Sequence, residues 1–144
     1  MSEVAFPDMV RDFPKVVIVC DSKSLEERDG KPLLWWTMDA YKKHDFWEFV
    51  WVCLEDFQRF ADYSCDLYLE HFQMLNTGQW SKNFLYLPVD MTGESTESAI
   101  AKIERLNSPF ALTSVHSDIV EYEDRFKIPL CKLEDGKIVP WVRD

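Results

Sequence analysis

The 144-residue chain carries 16 basic and 26 acidic residues, a formal net charge of −10, with 47% hydrophobic and 15% aromatic residues. A chain of this length is expected to form one domain, residues 1–144, with a real core, because it hides roughly 68–70% of its unfolded surface on folding. The acidic balance opposes ordinary binding to nucleic acid and to anionic membranes, and no apolar run reaches the roughly 18 residues of a membrane span, so a soluble cytoplasmic protein is expected.

Lys15 to Cys20, KVVIVC, is a continuous apolar run that predicts a buried, central, parallel strand. Asp21 to Gly30 is polar, and Lys31-Pro32 opens a helix that continues as LLWWTMDAYKK to about Lys43, with its two lysines at the negative end of the dipole. Phe49 to Cys53 predicts a second buried strand, so a helical crossover joins two parallel strands. Glu55 to Tyr63 reads as helix. In Asp66 to Leu75 the DLYLE alternation suits a strand, whereas the Tyr68, Phe72 and Leu75 spacing favours helix. After a loop over Asn76 to Asn83 come a third strand, Phe84 to Leu87, and a turn at Thr92-Gly93. An amphipathic helix bearing Thr96, Ile100, Ile103 and Leu106 and a strand from Pro109 to Thr113 follow. Ile128 to Val142, with Glu134-Asp135-Gly136 at its middle, predicts a hairpin.

The four glycines are isolated, one to a predicted turn, which excludes both the G-x-G-x-x-G fingerprint and a Walker A loop. The four cysteines lack C-x-x-C spacing and read as buried reduced thiols; the three histidines form no i, i+4 pair. In the loop after the first strand, Ser22, Lys23, Ser24, Arg28 and Lys31 can hold phosphate oxygens, but four acidic residues share that loop and a solvated surface is the equal alternative. Asp118 follows the Pro109–Thr113 strand and is either a surface carboxylate or a ligand that holds Mg²⁺ jointly with substrate phosphates. Thr92-Gly93 is an ordinary turn or a point of close ligand approach. Glu94 and Glu97 would repel a phosphate at the helix start, which leaves a base or sugar hydroxyl as the ligand part there. His116 is a surface residue or a group that polarises a ligand.

In order along the chain, KVVIVC, the SKSLEERD loop, Gly30-Lys31-Pro32-Leu33-Leu34, Thr92-Gly93-Glu94-Ser95-Thr96-Glu97-Ser98, PFALTSVHSD and LEDGKIVPWV resemble the motifs of the sugar-phosphate nucleotidyltransferases. The resemblance implies a short, divergent member. Its fold would be a three-layer α/β/α sandwich of GT-A-like type, with a mostly parallel, Rossmann-like sheet and a C-terminal β-hairpin. It implies Asp118 as metal ligand and catalytic carboxylate, Lys31 as catalytic cation with Arg28 neutralising phosphate, and Ser22, Lys23, Ser24, Thr92 and Gly93 as nucleotide- or sugar-binding. The reaction would be NMP transfer to a sugar 1-phosphate with Mg²⁺. The family's glycine-rich loop is glycine-free here, and its second metal-binding aspartate has no counterpart, so a homodimer would complete the site. The alternative expectation is an inactive relative that serves as an acidic protein-interaction module, for example a virus-encoded inhibitor.

Overall fold

A computed structural model describes residues 14–78, 84–103, 109–116 and 118–142. Its main sheet has six strands: β1 (Lys15–Cys20), β4 (Glu48–Cys53), β5 (Leu85–Asp90), β6 (Phe110–Ser114), β7 (Leu130–Glu134) and β8 (Lys137–Trp141). Two further short strands, β2 (Glu27–Arg28) and β3 (Lys31–Pro32), form a separate antiparallel ribbon. The helices are α1 (Leu33–Lys42), α2 (Phe57–Asn76) and α3 (Thr96–Ala101). Among the described residues no helix is long and apolar enough to cross a membrane.

The main sheet runs β5-β4-β1-β6-β7-β8, with β5, β4, β1 and β6 parallel and the last two strands antiparallel. KVVIVC is therefore central, as its apolar run predicts. Val16, Val17 and Ile18 have no exposed surface, and successive residues point to opposite faces. One face collects Val16, Ile18, Phe49, Trp51 and Tyr86 with Leu34 and Met38 of α1 and Phe60 and Leu67 of α2. The other collects Val17, Val50, Val52 and Phe110 with Ala99 and Ile100 of α3. Fully burying one such aliphatic or aromatic side chain contributes about 1.5–3 kcal/mol, so a polar substitution in β1 weakens the cluster that its side chain faces.

The ambiguous Asp66–Leu75 stretch is helical, continuous with the preceding one, and its pattern has a physical reason. Phe60, Ser64, Leu67 and His71 recur at helical spacing and face the core. Tyr68, one residue off that face, reaches the exposed edge of β5. Its hydroxyl accepts from the Tyr86 amide at 2.7 Å and donates to the Tyr86 carbonyl at 3.1 Å, while Ser64 Oγ donates to the same carbonyl at 3.1 Å. Two residues on, Pro88 has no amide to leave unpaired. An edge that would otherwise invite another strand is thus closed by side chains and a proline.

Several boundaries differ from the sequence reading. Pro32 lies just outside α1 as its N-cap and belongs to the ribbon. Helix α2 begins at Phe57 rather than Glu55, because Asp56 takes a left-handed conformation. Helix α3 stops at Ala101, so Ile103 packs on the core from beyond the helix, and the expected Leu106 lies outside the described residues. The Asn76–Asn83 loop falls outside them from residue 79 onward. Cysteines 20, 53 and 131 sit on strands and all four are free thiols, but only Cys20 and Cys53 are buried as expected; Cys131 is half-buried and Cys65 is exposed on α2. The C-terminal hairpin forms as expected, with Asp135 and Gly136 both at positive φ, as a two-residue type I′ turn requires. It joins the sheet at the amino end of β6, through the pair Phe110–Cys131.

Lys42, at the end of α1, donates to Tyr86 Oη at 2.7 Å and lies 4.4 Å from the ring centre of Phe84. Burial pushes its ammonium down to about 8, against the opposing pull of Asp39 and Glu70. Because the folded pKa lies below the unfolded one, the cost is fully present below pH 8 and is relieved as pH rises toward 10.5. We therefore expect the unfolding free energy of the wild type minus that of Lys42→Met to rise by about 2 kcal/mol between pH 7.5 and 10.5 in urea titrations, allowing for partial solvent screening. The difference cancels Cys20 and Cys53, whose thiols burial pushes up and which act in the opposite direction. A flat difference would show that the ammonium is not desolvated.

Candidate functional site

The parallel strands end level with one another. Val19 pairs with Val52 and with Ser114, and Val52 pairs with Val89, so Cys20, Cys53 and Asp90 close the carboxyl edge together. From β1 the chain builds outward to β4 and β5, then crosses back to place β6 on the other side of β1. The gap between β1 and β6 is therefore the point where the strand order reverses, the place where open α/β sheets hold ligands.

A carboxylate ends or follows each of the four parallel strands at this edge: Asp90 ends β5, and Asp21, Glu55 and Asp118 lie past β1, β4 and β6. Three are spent on the protein's own backbone. Asp21 Oδ1 caps a 3-10 turn (Ser22–Leu25) by accepting from the Lys23 amide at 2.9 Å. Glu55 accepts from the Ser22 amide at 2.6 Å, and its contacts with Ser22 hold its carboxyl below the usual range. Asp90 accepts from the Thr92 hydroxyl at 2.6 Å and the Thr92 amide at 3.1 Å, which likewise lowers its pKa. Asp118 is exposed and, among the described residues, makes no hydrogen bond or ion pair.

The remaining predicted residues divide. The Ser22 and Lys23 amides are already capped by carboxylates, and Ser24 is buried, its hydroxyl accepting from the Asp21 amide at 3.0 Å. The Lys23 side chain is exposed. Arg28 and Lys31 face each other across the ribbon, and the same two cations lie over Trp36 and Trp35 at 5.3 and 5.5 Å from the ring centres. Lys31 also approaches Glu70 at 3.8 Å. Thr92 and Gly93 form the turn after β5, Gly93 at φ +83°. Glu94 precedes the helix rather than entering it. It is ion-paired with Lys102, and Ser95 caps α3 by accepting from the Ser98 amide at 3.2 Å.

Beside β6, Thr37 and Tyr41 of α1, Thr113 and Ser114 of the strand, and His116, Asp118, Ile119 and Val120 after it line a cleft. Burial, together with the neighbouring Tyr122, pushes the Tyr41 hydroxyl up to about 12, so it stays protonated there. Ser114 Oγ lies 2.6 Å from His116 Nε2. The cleft volume, about 20 Å³, takes a water or a single ion, so a larger ligand would lie over the open rim. Past the cleft the chain runs back along α1, held by Lys43–Glu121 at 2.9 Å and by His44 Nε2 with the Tyr122 carbonyl at 2.8 Å.

Sequence reasoning missed Glu55, Asp90 and the ribbon. An Asp-Gly pair between short polar runs marks Asp29-Gly30 as a hairpin, and both residues have positive φ. Asp90 was available as an Asx-turn signal, Asp-x-Thr, before Thr92-Gly93. Nothing in the order of residues places Glu55 against Ser22, 33 positions away.

Two substitutions separate the turn from the carboxylate. An added Cβ at Gly93 meets nothing within 4 Å, so Gly93→Ala is expected to cost only backbone strain, about 1 kcal/mol in chemical denaturation. Asp118→Asn is expected to leave stability unchanged within about 0.5 kcal/mol, the usual range for a surface change away from any partner. A large loss in the second variant would reveal a structural role for Asp118. No family model matches the sequence, and comparison with curated proteins finds no match.

Proposed function

We propose that the carboxyl edge binds a nucleotide or nucleotide sugar with the help of a divalent cation, on a Rossmann-like, GT-A-like frame of the sugar-phosphate nucleotidyltransferase kind. The observation that carries this reading is Asp118: the one edge carboxylate of the four without a partner among the described residues, beside the strand-order reversal. A polyphosphate brought to an edge of four carboxylates meets like charge, so charge neutralisation has to come with the ligand. The basic side chains of Lys23, Arg28 and Lys31 leave the adjacent β1 loop and would offset phosphate charge from that side. Thr92-Gly93 offers a turn without bulk to a base or sugar.

Mg²⁺ fits this edge in part. One carboxylate with waters and substrate phosphates is an ordinary Mg²⁺ arrangement, and no group of three His, Cys, Asp or Glu is assembled among the described residues. Such an ion would neutralise phosphate charge during transfer of an NMP to a sugar 1-phosphate. The chain's own residues would position and orient the two substrates. A second copy of the chain would supply the second metal-binding carboxylate for which this chain has no counterpart.

One observation favours the second reading, an inactive relative that binds a protein. Leu69 and Phe72 of α2 are 64% and 63% exposed, beside Asp62 and Asp66 on the same helix. Such an apolar face, rimmed by acid, suits a contact surface.

Thermal-shift measurements with NTPs, nucleotide sugars and divalent cations, followed by pyrophosphate release with sugar 1-phosphates, separate these readings. The first expects stabilisation by nucleotide plus cation and turnover abolished by Asp118→Ala. Binding without turnover supports an inactive relative. No response to any nucleotide, with a shift on adding a protein partner, supports the interaction module.

A further inference from the structure

The donors in the cleft beside β6 are not those of a pure oxygen site. His116 and Asp118 stand two apart in the segment leaving β6, and both line the same cleft. His116 Nε2 is held 2.6 Å from Ser114 Oγ. A histidine that ligates a metal through one ring nitrogen characteristically gives its other N–H to a fixed oxygen, which sets the tautomer and aims the ring. In the tautomer whose Nε2–H donates to Ser114 the bare nitrogen is Nδ1, and Asp118, on the same cleft, has no partner among the described residues. A nucleophile–base reading of Ser114 and His116 would need a carboxylate on Nδ1, and Asp118 makes no such bond.

We propose that His116 and Asp118 together form a mixed nitrogen–oxygen site for a first-row transition-metal ion such as Mn²⁺, in preference to Mg²⁺, with Ser114 as the residue that positions the imidazole. Mg²⁺ is a hard ion that takes oxygen ligands and gains little from imidazole, whereas first-row transition-metal ions also take imidazole nitrogen, Mn²⁺ the most weakly of them and with the same liking for carboxylate and water as Mg²⁺. The proposal rests on the reading of Asp118 as the metal carboxylate and goes beyond it by naming a second ligand and the class of ion. The cleft takes a single ion, and the remaining positions would face the open rim, where waters and substrate oxygens would complete the coordination.

Electron paramagnetic resonance titration of Mn²⁺ into the full chain, with Mg²⁺ as competitor and no nucleotide present, tests the site directly. Expected are Mn²⁺ binding about tenfold or more tighter than Mg²⁺, and a loss of about tenfold in Mn²⁺ affinity in both His116→Ala and His116→Gln. Mg²⁺ affinity should stay within about twofold in these variants, Ser114→Ala should give a smaller Mn²⁺ loss, and Asp118→Asn should lose both ions. Circular dichroism confirms that each variant is folded. Equal Mn²⁺ affinity in wild type and both His116 variants overturns the proposal, as does equal affinity of the wild type for the two ions. Equilibrium dialysis of an NTP keeps the two readings apart. Nucleotide binding that is indifferent to His116 but lost in Asp118→Asn leaves the nucleotide reading standing and sinks this one. His116-dependent Mn²⁺ binding without nucleotide binding does the reverse.

Discussion

The constraint on which the rest depends is a strand that touches water on neither face. With Val16, Val17 and Ile18 fully buried, β1 must be flanked by strands on both sides and covered by helices above and below. Once β4 occupies one flank and β6 the other, the chain has to reverse its direction of travel across the sheet between β1 and β6. The crevice at the carboxyl edge is a by-product of that reversal, and the loops that leave β1 and β6 are brought together by it rather than by any affinity for each other.

Charge then decides which groups at the edge remain available for chemistry. Asp21, Glu55 and Asp90 satisfy amides and a hydroxyl that would otherwise be open at the strand ends, and Glu55 occupies the position on the Ser22 amide that an anion could have used. The β1 loop is thus closed by the protein's own carboxylates where a glycine-rich loop would leave its amides open. Asp118 and His116 escape this use because the segment after β6 turns over α1 instead of capping a neighbouring strand. An acidic edge with one idle carboxylate and one anchored imidazole opposes a bare phosphate, so on the proposed reading phosphate would follow a cation.

Edges and ends are managed by side chains of unlike kinds. Tyr68, Ser64 and Pro88 close β5, and the cost of covering it is a long α2 whose outer flank leaves Leu69 and Phe72 in water. Lys42 holds the same corner from inside, trading desolvation of its ammonium for a bond to the Tyr86 hydroxyl and the faces of nearby rings.

Much of the frame was legible in the residues themselves. KVVIVC and FVWVC are apolar without alternation, which only strands buried on both faces require, and Asp135-Gly136 between two strand-like runs leaves little choice but a tight hairpin. Asp118 beyond the end of PFALTS was likewise readable as an edge carboxylate. The end of α3, the ribbon at Asp29-Gly30 and the continuous α2 were less so, because helix ends and short ribbons depend on packing that local pattern does not carry. What only the tertiary structure decided is the state of each site residue: that Ser24 is buried and Glu55 sits on Ser22, that Arg28 and Lys31 lie over tryptophans, and that Ser114 holds His116. Hydrophobic periodicity is a property of neighbours in sequence and so determines strands and helices. Partnership at the sheet edge depends on the folded backbone: Glu55 reaches Ser22, 33 positions away, only through the register of β1 and β4, and the near pairs Asp90–Thr92 and Ser114–His116 close only in the conformations taken by the chain as it leaves β5 and β6.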